Sequence, residues 1–184
     1  MHWKTVGANI LCRAHNQLLS PLDNAADLMI EYAIGSVRYR TGVSALTPRQ
    51  NFLCSGHDIE RWFLKLFLGG VFSKEVIRAP QFDEKKYYDL TRDFYDIIPL
   101  KANRGLFISP KIGDSIRVDS NRFKYEYLVD PEGNPIGLKF FGFAVNFHFI
   151  AFDGFDTSKL TKIVRSVRWS GSDWKSTINI CWMN

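Results

Sequence analysis

The stretch Phe123-Lys124-Tyr125-Glu126-Tyr127-Leu128-Val129-Asp130-Pro131-Glu132-Gly133-Asn134-Pro135-Ile136-Gly137-Leu138-Lys139-Phe140-Phe141 reads as strand, turn, strand. Aromatic residues alternate with charged ones before the turn, and the Asp-Pro-Glu-Gly-Asn-Pro cluster supplies residues that bend the backbone and bond to it locally. A long aromatic strand follows from Gly142 to Phe152. Its period of two puts Phe143, Val145, Phe147 and Phe149 on one face and Ala144, Asn146, His148, Ile150 and Phe152 on the other. Both faces are expected to be at least half buried. Working back towards Gly105, Phe107, Ile112, Ile116 and Val118 lie in short segments broken by Pro110, Gly113 and Asp114, again the texture of strands. Towards the end of the chain Leu160, Ile163, Val164 and Val167 fit a helix, whereas Thr177 to Trp182 reads as a closing strand.

Before residue 100 the period changes to that of a helix. Ser20-Pro21-Leu22-Asp23 predicts a capped start, with Pro21 at the first helical position and an apolar stripe of Leu22, Ala25, Ala26, Met29 and Ala33 ending near Gly35. Ser55-Gly56-His57-Asp58 caps a second helix, in which Ile59, Trp62, Phe63, Leu66, Phe67 and Gly70 recur through Phe72. Leu64 and Leu68 make it apolar almost all round, the mark of a central buried helix. Gly69-Gly70 either fray its end or admit a close neighbour. A third helix is predicted from Asp83 to Ile98, with Tyr87, Leu90, Phe94 and Ile97 on one face and Pro99 as its stop. Helices about 18–98 followed by strands about 105–184 predict an α+β fold, N-terminal helices packed on a mostly antiparallel sheet or sandwich, in a single domain of residues 1–184.

Composition narrows the function classes. The chain has 184 residues, a net charge of +5 and 15% aromatic residues, enough for a core and mildly suited to an anionic partner. Its three cysteines are an odd number for a disulfide framework. No apolar run approaches the roughly 18 residues of a membrane span, and the first residues lack a signal-peptide core. These features predict a cytoplasmic protein without a membrane partner. The sequence contains no phosphate-cradling glycine loop, nucleophile elbow or acid pair of defined spacing.

One local pattern suggests a metal. Cys12 and His15 are separated by two residues, a step that lets thiolate and imidazole turn to one tetrahedral zinc, and Cys54 and His57 repeat it. Together they would make a Cys2His2 set. The separation of the two pairs is far outside ordinary finger spacing, and free cysteines are often buried as small hydrophobes, so an unmetallated Cys12 and His15 at a helix entrance stands as the alternative. The phrases Leu11-Cys12-Arg13-Ala14-His15-Asn16-Gln17-Leu18-Leu19-Ser20-Pro21-Leu22-Asp23 and Gly56-His57-Asp58-Ile59-Glu60-Arg61-Trp62-Phe63-Leu64-Lys65 resemble a loose group of uncharacterised bacterial and phage proteins with an N-terminal HNH-like zinc module. The resemblance spans roughly residues 8 to 70 and implies a metal-dependent endonuclease or a remnant of one. A working HNH centre also needs a β-hairpin with a base-activating histidine upstream. Only eleven residues precede Cys12, with His2 the sole candidate, so that centre is expected to be missing.

Other residues carry chemistry less specifically. Glu60, Arg61, Trp62 and Lys65 offer a small cationic face beside a tryptophan, or else Trp62 is core and the cations are paired. His148 with Asn146 can act in catalysis, although a strand histidine is more often a hydrogen-bonded interior residue. Asp153 and Asp156 beside Gly154 have turn composition. The strongest patch lies in the tail: Lys159, Lys162, Arg165, Arg168 and Lys175 against Asp173, with Trp169 and Trp174 interleaved. If residues 158–168 are helical, Lys159, Lys162 and Arg165 share an outer face, where cations track phosphates while a tryptophan stacks on a base. The function expected is a non-catalytic binding protein that engages DNA, RNA or a nucleoprotein complex through Lys159, Lys162, Arg165, Arg168, Trp169 and Lys175. Alternatives are the HNH-type endonuclease and a protein-interaction or inhibitor module, such as a phage or defence-system component with aromatic anchors.

Overall fold

A computed structural model describes residues 13–40, 51–73, 83–95, 100, 103–110, 124–141, 145–162, 166–170 and 175–182. The fold is α+β. Three helices, α1 (Arg13–Arg40), α2 (Gly56–Phe72) and α3 (Glu84–Tyr95), precede most of the strands. The strands are β1 (Asn51–Ser55), β2 (Gly105–Pro110), β3 (Lys124–Val129), β4 (Pro135–Phe141), β5 (Val145–Ile150), β6 (Thr161–Lys162), β7 (Ser166–Ser170) and β8 (Lys175–Cys181). They form a five-stranded antiparallel sheet of order β3-β4-β5-β2-β6 and a three-stranded sheet of order β1-β8-β7, in which β1 runs parallel to β8.

α2 is the axle. Ser55 caps it as expected, its hydroxyl accepting the Asp58 N–H at 3.2 Å. Ile59, Trp62, Phe63, Leu64, Phe67, Leu68 and Val71 are all buried. Phe63 stacks on Phe149 of β5 at 6.0 Å and meets Phe140 of β4 edge-on, so the aromatic face foreseen for Phe147 and Phe149 is the face that covers the helix. A Cβ on Gly70 would collide with the hydroxyl of Tyr127. Close approach, rather than fraying alone, therefore explains that glycine. Trp62 lies against Phe63 and Phe140, within the core.

The hairpin of β3 and β4 is built as its turn residues dictate. Asp130 accepts the Asn134 N–H through its carboxylate at 2.7 Å and the Gly133 N–H through its carbonyl at 2.9 Å, and Gly133 has φ of 85°. α3 docks on this end of the sheet: Tyr87 is buried and its hydroxyl donates to the Pro135 carbonyl at 2.8 Å.

One expectation needs correction. α1 begins at Arg13, not at Ser20, and Pro21 lies inside it; the helix also runs on past Gly35. The apolar stripe begins earlier than the capping signal, since Leu19, Leu22, Ala26, Met29, Ile30 and Tyr32 are buried. Packing of that face outweighs the backbone bond that proline removes. For 158–168, where helix and strand were both open, the described residues take the strand: Thr161–Lys162 pairs with β2 and Ser166–Ser170 pairs with β8. Ladder bonds to neighbouring strands override the helical spacing of Leu160, Ile163 and Val167. Ile112, Ile116, Val118, Phe143, Ala144, Arg165, Asp173, Trp174 and Ile97 lie outside the described residues. Among the described residues no helix is long and apolar enough to cross a membrane.

Candidate nucleic-acid interface

The basic tail is divided between the two sheets. Lys159 is exposed in the turn after β5. Lys162, in β6, is half-buried and turns inward: its ammonium lies 3.5 Å from the Leu100 carbonyl and 5.9 Å from the Phe107 ring centroid. It therefore serves the interior of the five-stranded sheet more than its surface. Arg168 and Trp169 lie on β7, and Lys175 begins β8.

The register of the three-stranded sheet sorts these positions. Paired residues share a face, and successive residues alternate. Leu53 pairs with Asn179 and Ser55 with Cys181; on the other side of β8, Ser166 pairs with Asn179, Arg168 with Thr177 and Ser170 with Lys175. These positions form one face. It is the outer one, since Leu53 is 68% exposed and Cys181 is exposed. The opposite face holds Phe52, Cys54, Ile178 and Ile180, of which Ile178 and Ile180 are buried and Phe52 stacks on Tyr32 of α1 at 5.1 Å. Val167 pairs with Ile178 and Trp169 with Ser176, which assigns Trp169 to the inner set. Thus the ladder joins Arg168 and Lys175 and separates Trp169 from them. The Thr177-Ile178-Asn179-Ile180 alternation carried this signal in the sequence, yet Thr177, Asn179 and Leu53 escaped notice because the partner strand was unknown.

The metal candidates are placed less favourably. Cys54 ends the inner face of β1, and His57 lies in the first turn of α2, edge-on to Trp182 at 5.3 Å. Burial pushes the Cys54 thiol up to about 12, with Cys181 and Asp58 adding to the effect. Cys12 lies outside the described residues, as does the side chain of His15. Among the described residues no group of three or more His, Cys, Asp or Glu side chains is arranged to hold a metal ion.

Two buried polar centres lie elsewhere. His148, only 5% exposed, places Nε2 3.0 Å from the Ser109 hydroxyl, and Ser109 pairs with Asn146 in the ladder. Burial, with Lys139 nearby, lowers the His148 pKa to about 4. The imidazole is neutral at pH 7, and its Nδ1 has no hydrogen-bond partner among the described residues. The second centre is Glu60. It is also 5% exposed, and its Oε1 accepts the Leu106 N–H at 3.0 Å. Burial raises its pKa to about 6, opposed by the bonds to Leu106 and Leu100 and by Lys162 and His57. Gly105 makes room for this carboxylate: φ is +102° and a Cβ would collide with Oε1. The sequence marked Glu60 only as a neighbour of Arg61 and Trp62; its burial against the start of β2 depends on a contact far apart in the chain.

The remaining charged motifs are engaged locally. Lys65 binds both carboxylate oxygens of Asp23 at 2.7 and 2.8 Å, tying α2 to α1, so it does not form an open cationic face. Asp153 accepts from Arg104 at 3.3 Å, and Asp156 accepts the Ser158 N–H at 2.9 Å, a local turn bond. No protein-family model, curated protein or solved structure matches the chain.

Proposed function

We propose that the protein binds nucleic acid, alone or within a nucleoprotein complex, through the outer face of the three-stranded sheet and the basic residues that flank it. One observation carries this reading. The strand register sets Arg168 opposite Thr177 and Lys175 opposite Ser170, on the ladder positions that alternate with the buried Ile178 and Ile180, and the segments Asn51–Ser55, Ser166–Ser170 and Lys175–Cys181 contain no aspartate or glutamate. Cations on an acid-free polar face attract a phosphodiester chain and displace its counterions. Lys159 and Arg165 belong to the same stretch of sequence. The net charge of +5 favours the same class of partner.

The test is retention of the full chain on mixed nucleic acid across a salt series. Binding should weaken steeply as salt rises, and Arg165→Ala with Arg168→Ala should flatten the log–log slope by about 0.9 for each phosphate no longer neutralised. Identical slopes for wild type and double variant would remove the tail from the reading.

A further inference from the structure

We infer that the buried carboxyl group of Glu60 is a proton-operated latch, which holds the start of β2 and strand β6 closed on α2 while it is protonated and lets them open locally once it is ionised. The inference is independent of the nucleic-acid reading above. Its first support is the geometry of a three-way junction. From α2, Glu60 reaches the backbone at the start of β2, where Oε1 accepts the Leu106 N–H at 3.0 Å. The chain comes so close there that Gly105 takes a φ of +102° and a Cβ would collide with Oε1. From β6, the Lys162 ammonium lies 3.5 Å from the Leu100 carbonyl. Leu100 and Lys162 both act on the Glu60 carboxylate, the first through a backbone bond and the second through its charge.

The second support is that the partners are unequally anchored. α2 is fixed by Ile59, Phe63 and Phe67, all fully buried. β6 has two residues, lies at the edge of its sheet, and pairs Thr161 with Ile108 and Lys162 with Phe107. Thr161 is exposed and Lys162 half-buried. A short edge element opens at a lower free energy than a core helix. Water therefore reaches Glu60 through movement of β6 and the start of β2, while α2 stays in place.

The third is the balance of forces on the carboxyl group. Glu60 is buried, so the ionised form loses hydration that the neutral acid does not need. Against this stand the bonds to Leu106 and Leu100, the Lys162 charge, and His57 one turn earlier on α2. Arg104, next to Gly105, pairs with Asp153 at 3.3 Å instead. Burial prevails, and the pKa rises from 4.5 to about 6. A protonated carboxyl still offers its carbonyl oxygen to the Leu106 N–H. The closed junction thus binds the proton more tightly than an open one, so acid fastens the latch and neutral pH loosens it.

The experiment is residue-resolved amide hydrogen exchange on the full chain from about pH 4 to about pH 8, each rate corrected for its intrinsic pH dependence. The Leu106 and Lys162 amides should be at least about tenfold less protected than those of Phe67 in α2 and Phe149 in β5. Leu106 protection should fall about twentyfold across the range, as a carboxyl that titrates near 6 when closed and at 4.5 when open requires. Glu60→Gln, checked for native circular dichroism, should abolish that fall. Lys162→Met withdraws a charge that favours the ionised form, so the midpoint of the fall should move to higher pH. Equal protection of Leu106 and the two core amides would mean that the junction opens only with the whole fold, and would overturn the latch. A fall that persists in Glu60→Gln, or protection that does not change with pH in the wild type, would overturn it too. An unmoved midpoint in Lys162→Met would remove β6 from the junction and the latch as stated with it. Should Glu60→Gln fail to fold, titration of the Glu60 carboxyl carbon by NMR decides: a midpoint near 6 upholds the latch, and one at or below 4.5 ends it.

Discussion

The two sheets treat their faces differently. The five-stranded sheet is buried against α2 by ring on ring, with Phe63 among Phe140, Phe147 and Phe149, and even on its reverse face Phe107 and His148 are buried. The three-stranded sheet buries one side only, through Phe52, Cys54, Ile178 and Ile180, while its other side exposes Leu53 and Cys181. A sheet covered on both sides is committed to holding the fold together. One with a free polar side has room for a partner. If the proposed binding holds, stability and recognition fall to separate sheets joined by α2, and substitutions in each should register in different measurements.

The largest effect is expected where α2 meets the five-stranded sheet. Trp62→Ala removes a buried ring packed on Phe63 and Phe140 and should cost about 3 to 5 kcal/mol in chemical denaturation. A variant of native stability that no longer binds nucleic acid would reverse the division of labour. Next comes Gly105→Ala. The backbone there has φ of +102°, and the new Cβ would displace the Glu60 carboxylate, so a loss of about 1 to 3 kcal/mol is expected from the backbone alone. A neutral substitution would show that the Glu60 carboxylate does not fix the start of β2.

Glu60 gives a smaller, pH-dependent effect. Its pKa is raised in the fold from the ordinary 4.5 to about 6, chiefly by burial. The folded state therefore holds the proton more tightly than the unfolded chain. This contribution to stability is complete below pH 4.5 and is lost as pH rises through about 6, a change of about 2 kcal/mol. Glu60→Gln, which keeps an acceptor for the Leu106 N–H but does not titrate, should gain on wild type by about that amount between pH 4.5 and 7. A constant difference between the two unfolding curves would place the carboxylate in a better-solvated setting than its burial indicates.

Local chemistry made much of the five-stranded sheet legible. Asp130, Gly133 and Asn134 define a turn without help from distant residues, and the Ser55–Asp58 cap marks α2 in the same way. Tertiary partners decided the rest. Pro21 reads as a helix start until the buried stripe beginning at Leu19 is known, and residues 158–168 fit helix or strand until β2 and β8 claim Thr161–Lys162 and Ser166–Ser170. The candidate interface was half visible for the same reason. Arg168 and Lys175 stand out by charge, but their relation to Thr177, Asn179 and Leu53 exists only in the register of strands far apart in the chain.

The smallest expected stability effect belongs to Leu53, and it bears most directly on the three-stranded sheet. Its side chain is 68% exposed on the outer face, so little apolar area is lost to water when it is replaced, and Leu53→Lys should change unfolding free energy by no more than about 0.5 kcal/mol. The new ammonium would lie beside Asn179 in the ladder, two strands from Arg168. If phosphates approach this face, the added cation should tighten binding at low salt and steepen the log–log salt dependence by about 0.9. Loss of stability would mean that Leu53 is covered in the native protein. Unchanged binding with unchanged stability would mean that the nucleic acid passes over another surface, and the contrast between the sheets would then describe packing alone.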